Sequence, residues 1–231
     1  MNQGKEKKRP FIHQLYSSPR SGADIEADSF AIIDREASSH GFPPDKWEVV
    51  RRMIHTTGDL GIAGSVEFSP GAIQAGVDAI RAGRPIYADS NMIRSGISLE
   101  RLRAACPDYA PSSLVCPVAE EETARQAKDS GLPRSLFAVR RAKNTLRGGL
   151  AVFGNAPVGL LELNRMIMEE NLRPALVIAM PVGFVHVLES KEELMSLDVP
   201  HIVLTGRRGG SPLAVSAVHA LCTLAARKGT R

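Results

Sequence analysis

The chain has 231 residues, 43% hydrophobic and 5% aromatic, with 29 Lys plus Arg against 25 Asp plus Glu and a formal net charge of +4. That is enough to bury one substantial core, and no apolar run reaches the roughly 20 residues of a membrane span or resembles a secretory signal, so the sequence predicts a soluble, cytoplasmic protein. Aromatics are few and none is interleaved with basic residues, which argues against a nucleic-acid partner; Cys106, Cys116 and Cys222 are scattered without a CxxC pair, which argues against a disulfide framework or a zinc site.

Residues 1–22 read as a flexible tail, because Met1–Pro10 is charged and Phe11–Ser21 is rich in Ser and Pro. The remainder, 23–231, reads as a single α/β domain with N-terminal helices over 23–83 and a parallel-sheet unit over 84–226. The first helix spans Asp24–Ala37, with Ile25, Phe30, Ile33 and Ala37 at helical spacing. Gly41-Phe42-Pro43-Pro44 interrupts the pattern, and a second helix from Asp45 aligns Trp47, Val50 and Ile54 before Gly58 closes it. His55 falls in its last turn, next to that stripe. The negative end of the helix dipole faces such a position and suits a proton donor; the same place also suits a histidine that caps carbonyls.

Asp59–Ser69 reads as irregular, and Pro70–Ala82 as a helix leading to a first strand, Pro85–Ala88. At that strand's end Asp89 and Asn91 offer a carboxylate and an amide to a ligand, or cap the next helix. Arg101–Pro111 reads as a polar connection, Ser113–Cys116 as a second strand and Ala119–Ser130 as a charged surface helix. Arg134 and Ser135, just before a helix over Leu136–Leu146, form a donor-rich spot for a carboxylate.

The clearest unit follows. Leu150–Phe153 is an apolar run without polar alternation, as expected of a parallel strand buried on both faces, and Gly154-Asn155-Ala156-Pro157 turns it into a helix. Ala175–Ala179 repeats the pattern, stopped by Met180–Phe184 and followed by a helix around Ser190–Leu194. His201–Thr205 repeats it again, stopped by Gly206–Pro212 (GRRGGSP) and followed by a helix over Leu213–Ala226. Five strands joined mostly by helices predict a right-handed parallel sheet with its ligand beyond the carboxyl ends of the strands. GRRGGSP favours an anion there. It lacks the spacing of a Walker A loop, and no G-x-G-x-x-G occurs, so nucleotide enzymes lose their two best signatures.

From Ile25 to Leu221 a series of short pieces occurs in a characteristic order: Ser29–Ile33, Arg52–His55 (RMIH), Phe68–Pro70, Asp89–Ile97 (DSNMIRSGI), Arg134-Ser135, Gly154–Pro157, Met180–Val185 with Glu189–Lys191, and Gly206–Ser211. In these the chain resembles the precorrin-8X methylmutase family of cobalamin biosynthesis, including its cobalt-precorrin counterpart. The resemblance implies a flavodoxin-like, doubly wound, five-stranded sheet, a homodimer and a cofactor-independent isomerase. The reaction it implies moves a methyl group from C-11 to C-12 of ring C in a corrinoid precursor, giving hydrogenobyrinate or its cobalt form. It maps the family's active-site histidine onto His55. Together with the strand-end loops it marks Ser29, Asp89, Asn91, Arg134, Ser135, Asn155, Gly183, Arg208 and Ser211 as substrate-binding candidates. Two places depart from the family pattern: Leu132-Pro133 stands where a Thr is frequent, and His186, Val187 and Leu188 are larger than the small residues many members carry. Two other readings compete: a non-catalytic tetrapyrrole carrier of the same fold, and a sugar-phosphate or nucleotide enzyme holding phosphate on GRRGGSP.

Overall fold

The computed structural model describes residues 9–227. Residues up to Ser39 form one compact unit and His40 onward a second. In the first unit α1 (Ile12–Ser17) precedes α2 (Gly22–Glu36). The start of α2 is a capping box: Ser21 Oγ accepts the Asp24 N–H at 3.1 Å while the Asp24 carboxylate accepts the Ser21 N–H at 3.0 Å, which satisfies two otherwise orphaned donors. The segment expected to be a flexible tail therefore contains a helix, and its residues 1–8 lie outside the described residues.

The second unit is built on a mixed six-stranded sheet. Its strands are β1 (Val66–Phe68), β2 (Ile86–Ala88), β3 (Leu114–Val115), β4 (Leu150–Phe153), β5 (Leu176–Ala179) and β6 (His201–Leu204), in the order β1-β6-β5-β4-β2-β3. All neighbours are parallel except β1, which runs antiparallel along β6. The segment read as irregular, Asp59–Ser69, folds into a 3-10 turn (Leu60–Ser65) and then this added edge strand. Numbered along the chain, the five parallel strands run 2-1-3-4-5, so strand order reverses between β2 and β4.

Every residue of β4, β5 and β6 is buried, as their uninterrupted apolar runs require of strands covered on both faces. One face carries α3 (Pro44–Thr57), α4 (Ala72–Arg81), α5 (Asn91–Gly96), α6 (Leu99–Ala105) and α12 (Ser211–Ala226). α12 is the hub of this layer, packing against all four others, with Ala214, Ala217, Val218, Ala220 and Leu221 fully buried. Close approach of α4 depends on Gly76: a Cβ there would lie 2.8 Å from Leu176 Cδ2 and 2.9 Å from Leu221 Cδ1. On the opposite face α8 (Arg134–Arg141), α9 (Lys143–Leu146), α10 (Pro157–Glu170) and α11 (Val187–Met195) cover a cluster that includes Tyr87, Ala151, Phe153, Val177 and Val203. α7 (Glu121–Ser130) packs on α8. Three expectations change in detail. The connection after Arg101 lies partly in α6, the helix expected over Leu136–Leu146 is split at Ala142, and α11 starts three residues earlier than its charged stretch suggests. Among the described residues no helix is long and apolar enough to cross a membrane.

Candidate active site

The reversal of strand order puts the end of β2 beside the turn after β4, where doubly wound sheets expose helix N–H groups to a ligand. Here the N–H groups of the turn just before α10 are taken. Asp89 leaves β2 pointing inward, is 1% exposed, and its Oδ2 accepts the N–H groups of Gly154, Asn155 and Ala156 at 3.1, 2.8 and 2.7 Å. Burial pushes this carboxyl up from the usual range, and the three N–H donors oppose that shift. Asp89, which the sequence left open to ligand contact or to capping, holds the turn Gly154–Ala156 that leads into α10. Its neighbour Ser90 accepts the Ile93 N–H to start α5, and its hydroxyl lies 3.0 Å from that of Ser211.

The GRRGGSP loop is likewise committed inward. Lys191 on α11, 1% exposed, donates through Nζ to the carbonyls of Gly206 (2.8 Å) and Arg208 (2.9 Å), and burial lowers its pKa to about 8. The Gly210 N–H is spent on the Met180 carbonyl at 2.8 Å. Gly209 packs so closely on the preceding loop that a Cβ would lie 2.7 Å from the Pro181 carbonyl oxygen and nearer still to that of Met180. The glycines do serve close backbone approach, but to a neighbouring loop rather than to an anion. Arg208 pairs with Asp59 at 2.8 Å, and the Arg207 guanidinium sits 5.5 Å from the centre of the Phe184 ring.

α3 delivers His55 to the solvent-exposed end of its last turn. Its closing carbonyls are already occupied: Arg52 and Met53 accept from the hydroxyls of Thr56 and Thr57, and Ile54 accepts the N–H of Gly58, which takes the left-handed conformation at φ +65°. These carbonyls are thus capped by the threonines and Gly58, and His55 is exposed. Arg52 and Thr56, at i−3 and i+1 from His55, line a cleft of about 330 Å³ together with Met92 and Gly96 of α5 and Ser211, Ser216 and His219 of α12. His219 Nε2 accepts the Ser98 N–H at 3.0 Å, so in the neutral ring Nδ1 carries the proton. Across α5, Asn91 and Arg94 line a second cleft of about 400 Å³.

The predicted residues thus separate into groups. Ser211 lines the cleft that begins beside His55, and Asn91 lies on the far side of α5. Arg134 and Ser135 start α8 on the opposite face of the sheet, where Ser135 packs against Gly159 in the first turn of α10, near the exposed Asn155. Gly183 donates to the Arg207 carbonyl at 3.3 Å, at the base of a loop whose tip, Phe184 and Val185, is 85% and 69% exposed. Ser29 lies in α2 of the first unit. Sequence reasoning missed Arg52, Thr56, Met92 and His219. Helical spacing from His55 was the available signal for the first two; nothing local marks His219.

Residues 24–224 match the sequence profile of the family described as precorrin-8X methylmutase. A cobalt-precorrin-8 methylmutase of Leptospira interrogans is 39% identical over 91% of this chain and 97% of its own, and a precorrin-8X methylmutase of Pseudomonas aeruginosa is 38% identical over 88% and 96%. The crystal structure of a precorrin-8X methyl mutase from Thermus thermophilus superposes with a TM-score of 0.82 at 47% identity, covering 89% of this chain and 97% of that one.

Proposed function

The chain belongs to the precorrin-8X methylmutase family, and from that membership we propose that it is an isomerase of cobalamin biosynthesis that moves a methyl group from C-11 to C-12 of a corrinoid precursor, with His55 as proton donor. The shift breaks one carbon–carbon bond and forms another within one molecule, so its atoms balance without a co-substrate. What it asks of a protein is a macrocycle held in shape and a proton held where the rearranged conjugated system is stabilised. The carrying observation on this chain is His55: exposed at the end of α3 and flanked by two residues of a cleft at the sheet's carboxyl edge.

Arg52 at the cleft, Arg94 across α5, Arg134 at the start of α8 and Arg207 beside Phe184 supply guanidinium groups around that edge for the acetate and propionate arms of the ring. Asn91, Ser135, Asn155, Gly183, Arg208 and Ser211 complete the substrate contacts of this unit. The flavodoxin-like reading is supported by the 2-1-3-4-5 order of the parallel strands. A homodimer is supported by size: a cleft of about 330 Å³ sits at the lower end of the ~300–1,000 Å³ that enclose drug-sized ligands, and a corrin with its arms is larger than most of these. The protein works in the cytoplasm. Replacing His55 by Ala is the direct test: conversion of precursor to the orange corrin, followed by absorption, falls by at least ~100-fold, with product binding retained. Turnover at the parent rate would remove His55 from the mechanism.

A further inference from the structure

In a doubly wound sheet the reversal point is where a helix N-terminus meets an anionic ligand. In this chain the turn that leads into α10 meets a carboxylate of its own, and that carboxylate comes from the end of another strand. A side-chain cap on residue 156 would accept the N–H groups of residues 158 or 159 and would not reach those of Gly154, Asn155 and Ala156. Those three are held by Asp89, whose partners lie 65 to 67 residues away and whose side chain is buried. Burying a carboxylate is costly, so the arrangement has to contribute something in return. What it adds is a tie between the end of β2 and the turn after β4.

That tie continues to the cleft. Gly154 lies against the GRRGGSP loop so tightly that a Cβ would be 2.8 Å from Ser211 Cα and N and 2.9 Å from the Gly210 carbonyl carbon. Ser211 lines the cleft with Arg52 and Thr56. The hydroxyl of Ser90, the residue after Asp89, is 3.0 Å from the hydroxyl of Ser211. Two consecutive residues therefore fix the same wall, one through the turn and one directly.

We infer that Asp89 is a positioning residue for the methyl shift, a built-in anion that locks the Gly154–Ala156 turn and so sets the place of Ser211 in the wall beside His55. This rests on the isomerase reading for its activity arm. The carboxylate acts without touching the macrocycle.

The test is Asp89→Ala with and without formate, a free carboxylate of matching chemistry, against sodium chloride at equal ionic strength. Displacing a cleft wall by about 1 Å lowers kcat by ~100-fold, while KM changes less than about threefold because the arms of the ring keep their partners. Formate, seated on the three vacated N–H groups, raises Tm saturably and returns at least tenfold in kcat, and chloride does neither. Unchanged kcat in the variant overturns the inference. So does a folded variant on which formate moves neither Tm nor kcat, and so does a rise in Tm without recovery of kcat. If Asp89→Ala does not fold, Asp89→Asn decides: it keeps an oxygen for the turn, and retains kcat within about tenfold. A loss in folded Asp89→Asn beyond ~100-fold would assign the carboxylate to the chemistry itself and overturn positioning. Should the wild-type protein leave the corrinoid unchanged, the isomerase reading fails, while the Tm response to formate still reads the turn.

Discussion

Lys191 provides the most quantitative prediction. Its ammonium is buried against two carbonyls, and burial lowers its pKa from 10.5 to about 8. In the unfolded chain the same amine titrates near its ordinary value, so between about pH 8 and about pH 10.5 the unfolded state binds one proton more than the folded state. Stability rises with pH wherever the unfolded state binds more protons. Below pH 8 the folded chain carries the full cost of the buried charge, and that cost is relieved as pH climbs through the window. A difference of about 2.5 units at about 1.4 kcal/mol per unit gives roughly 3 kcal/mol in all, about 2 of it by pH 9.5. Other groups act in the opposite sense: burial raises Cys222 to about 12 and holds Tyr87 and Tyr109 well above the ordinary tyrosine range, so their unfolded forms lose protons first and the fold weakens above about pH 9. Comparison with Lys191→Met cancels those contributions. Urea unfolding of both proteins from pH 7 to pH 9.5 should show the wild type gaining about 2 kcal/mol relative to the variant. A difference that stays flat with pH would refute the assignment of a depressed Lys191.

Three further outcomes follow from the same edge of the sheet. Gly209→Ala drives a Cβ into the carbonyls of Met180 and Pro181 and should lower stability by about 3 kcal/mol or more in urea titration; a loss below about 1 kcal/mol would mean the two loops separate freely. Phe184→Ser removes a ring that is 85% exposed, so Tm stays within a degree or two while KM for the corrinoid rises about tenfold; unchanged KM would place the ring outside the substrate's reach. His55→Ala and Arg134→Ala chains, each impaired alone, should recover about a quarter of wild-type activity after mixing and exchange, the share expected when half the dimers are mixed and each has one intact site. No recovery would rule out a site shared between subunits.

Much of the fold was legible because its strands are covered on both faces. Leu150–Phe153, Leu176–Ala179 and His201–Leu204 are uninterrupted apolar runs that end at Gly, Pro or Asn, and each became a strand within a residue of its expected limits. β1 escaped because it is three residues long, carries the exposed Glu67, and owes its existence to pairing with β6 more than 130 residues away. α6 escaped because Leu102 is its one buried residue in an otherwise charged segment. At the site, the position of His55 at a helix end could be read from Gly58 and the apolar stripe. The direction of Asp89 could not: whether a residue just past a strand turns outward or inward depends on what the next loop presents, and here three N–H groups drew it in. Lys191 was equally hidden, since Glu189–Glu193 has the composition of a solvated face and is buried at Lys191 by the GRRGG carbonyls packing over it.

These two hidden residues explain why the carboxyl edge of this sheet works differently from one that binds phosphate. Phosphate sites use backbone N–H groups, which are fixed, close together and suited to one compact anion. In this chain the N–H groups after β4 are closed by Asp89, the Gly210 N–H is taken by the Met180 carbonyl, and the carbonyls after β6 are held by Lys191. These backbone groups of the edge are therefore bonded within the chain, while the side chains of His55, Asn91, Arg94, Arg134, Phe184 and Arg207 are exposed. Long side chains spaced around a rim suit a broad, flat ligand whose negative charges are distributed along its periphery, because each guanidinium can meet a separate carboxylate. A rigid floor beneath them matters for the same reason: a methyl shift between adjacent ring carbons needs the proton donor and the ring face held in fixed register, and a floor of mutually bonded loops supplies that register without contacting the reacting atoms.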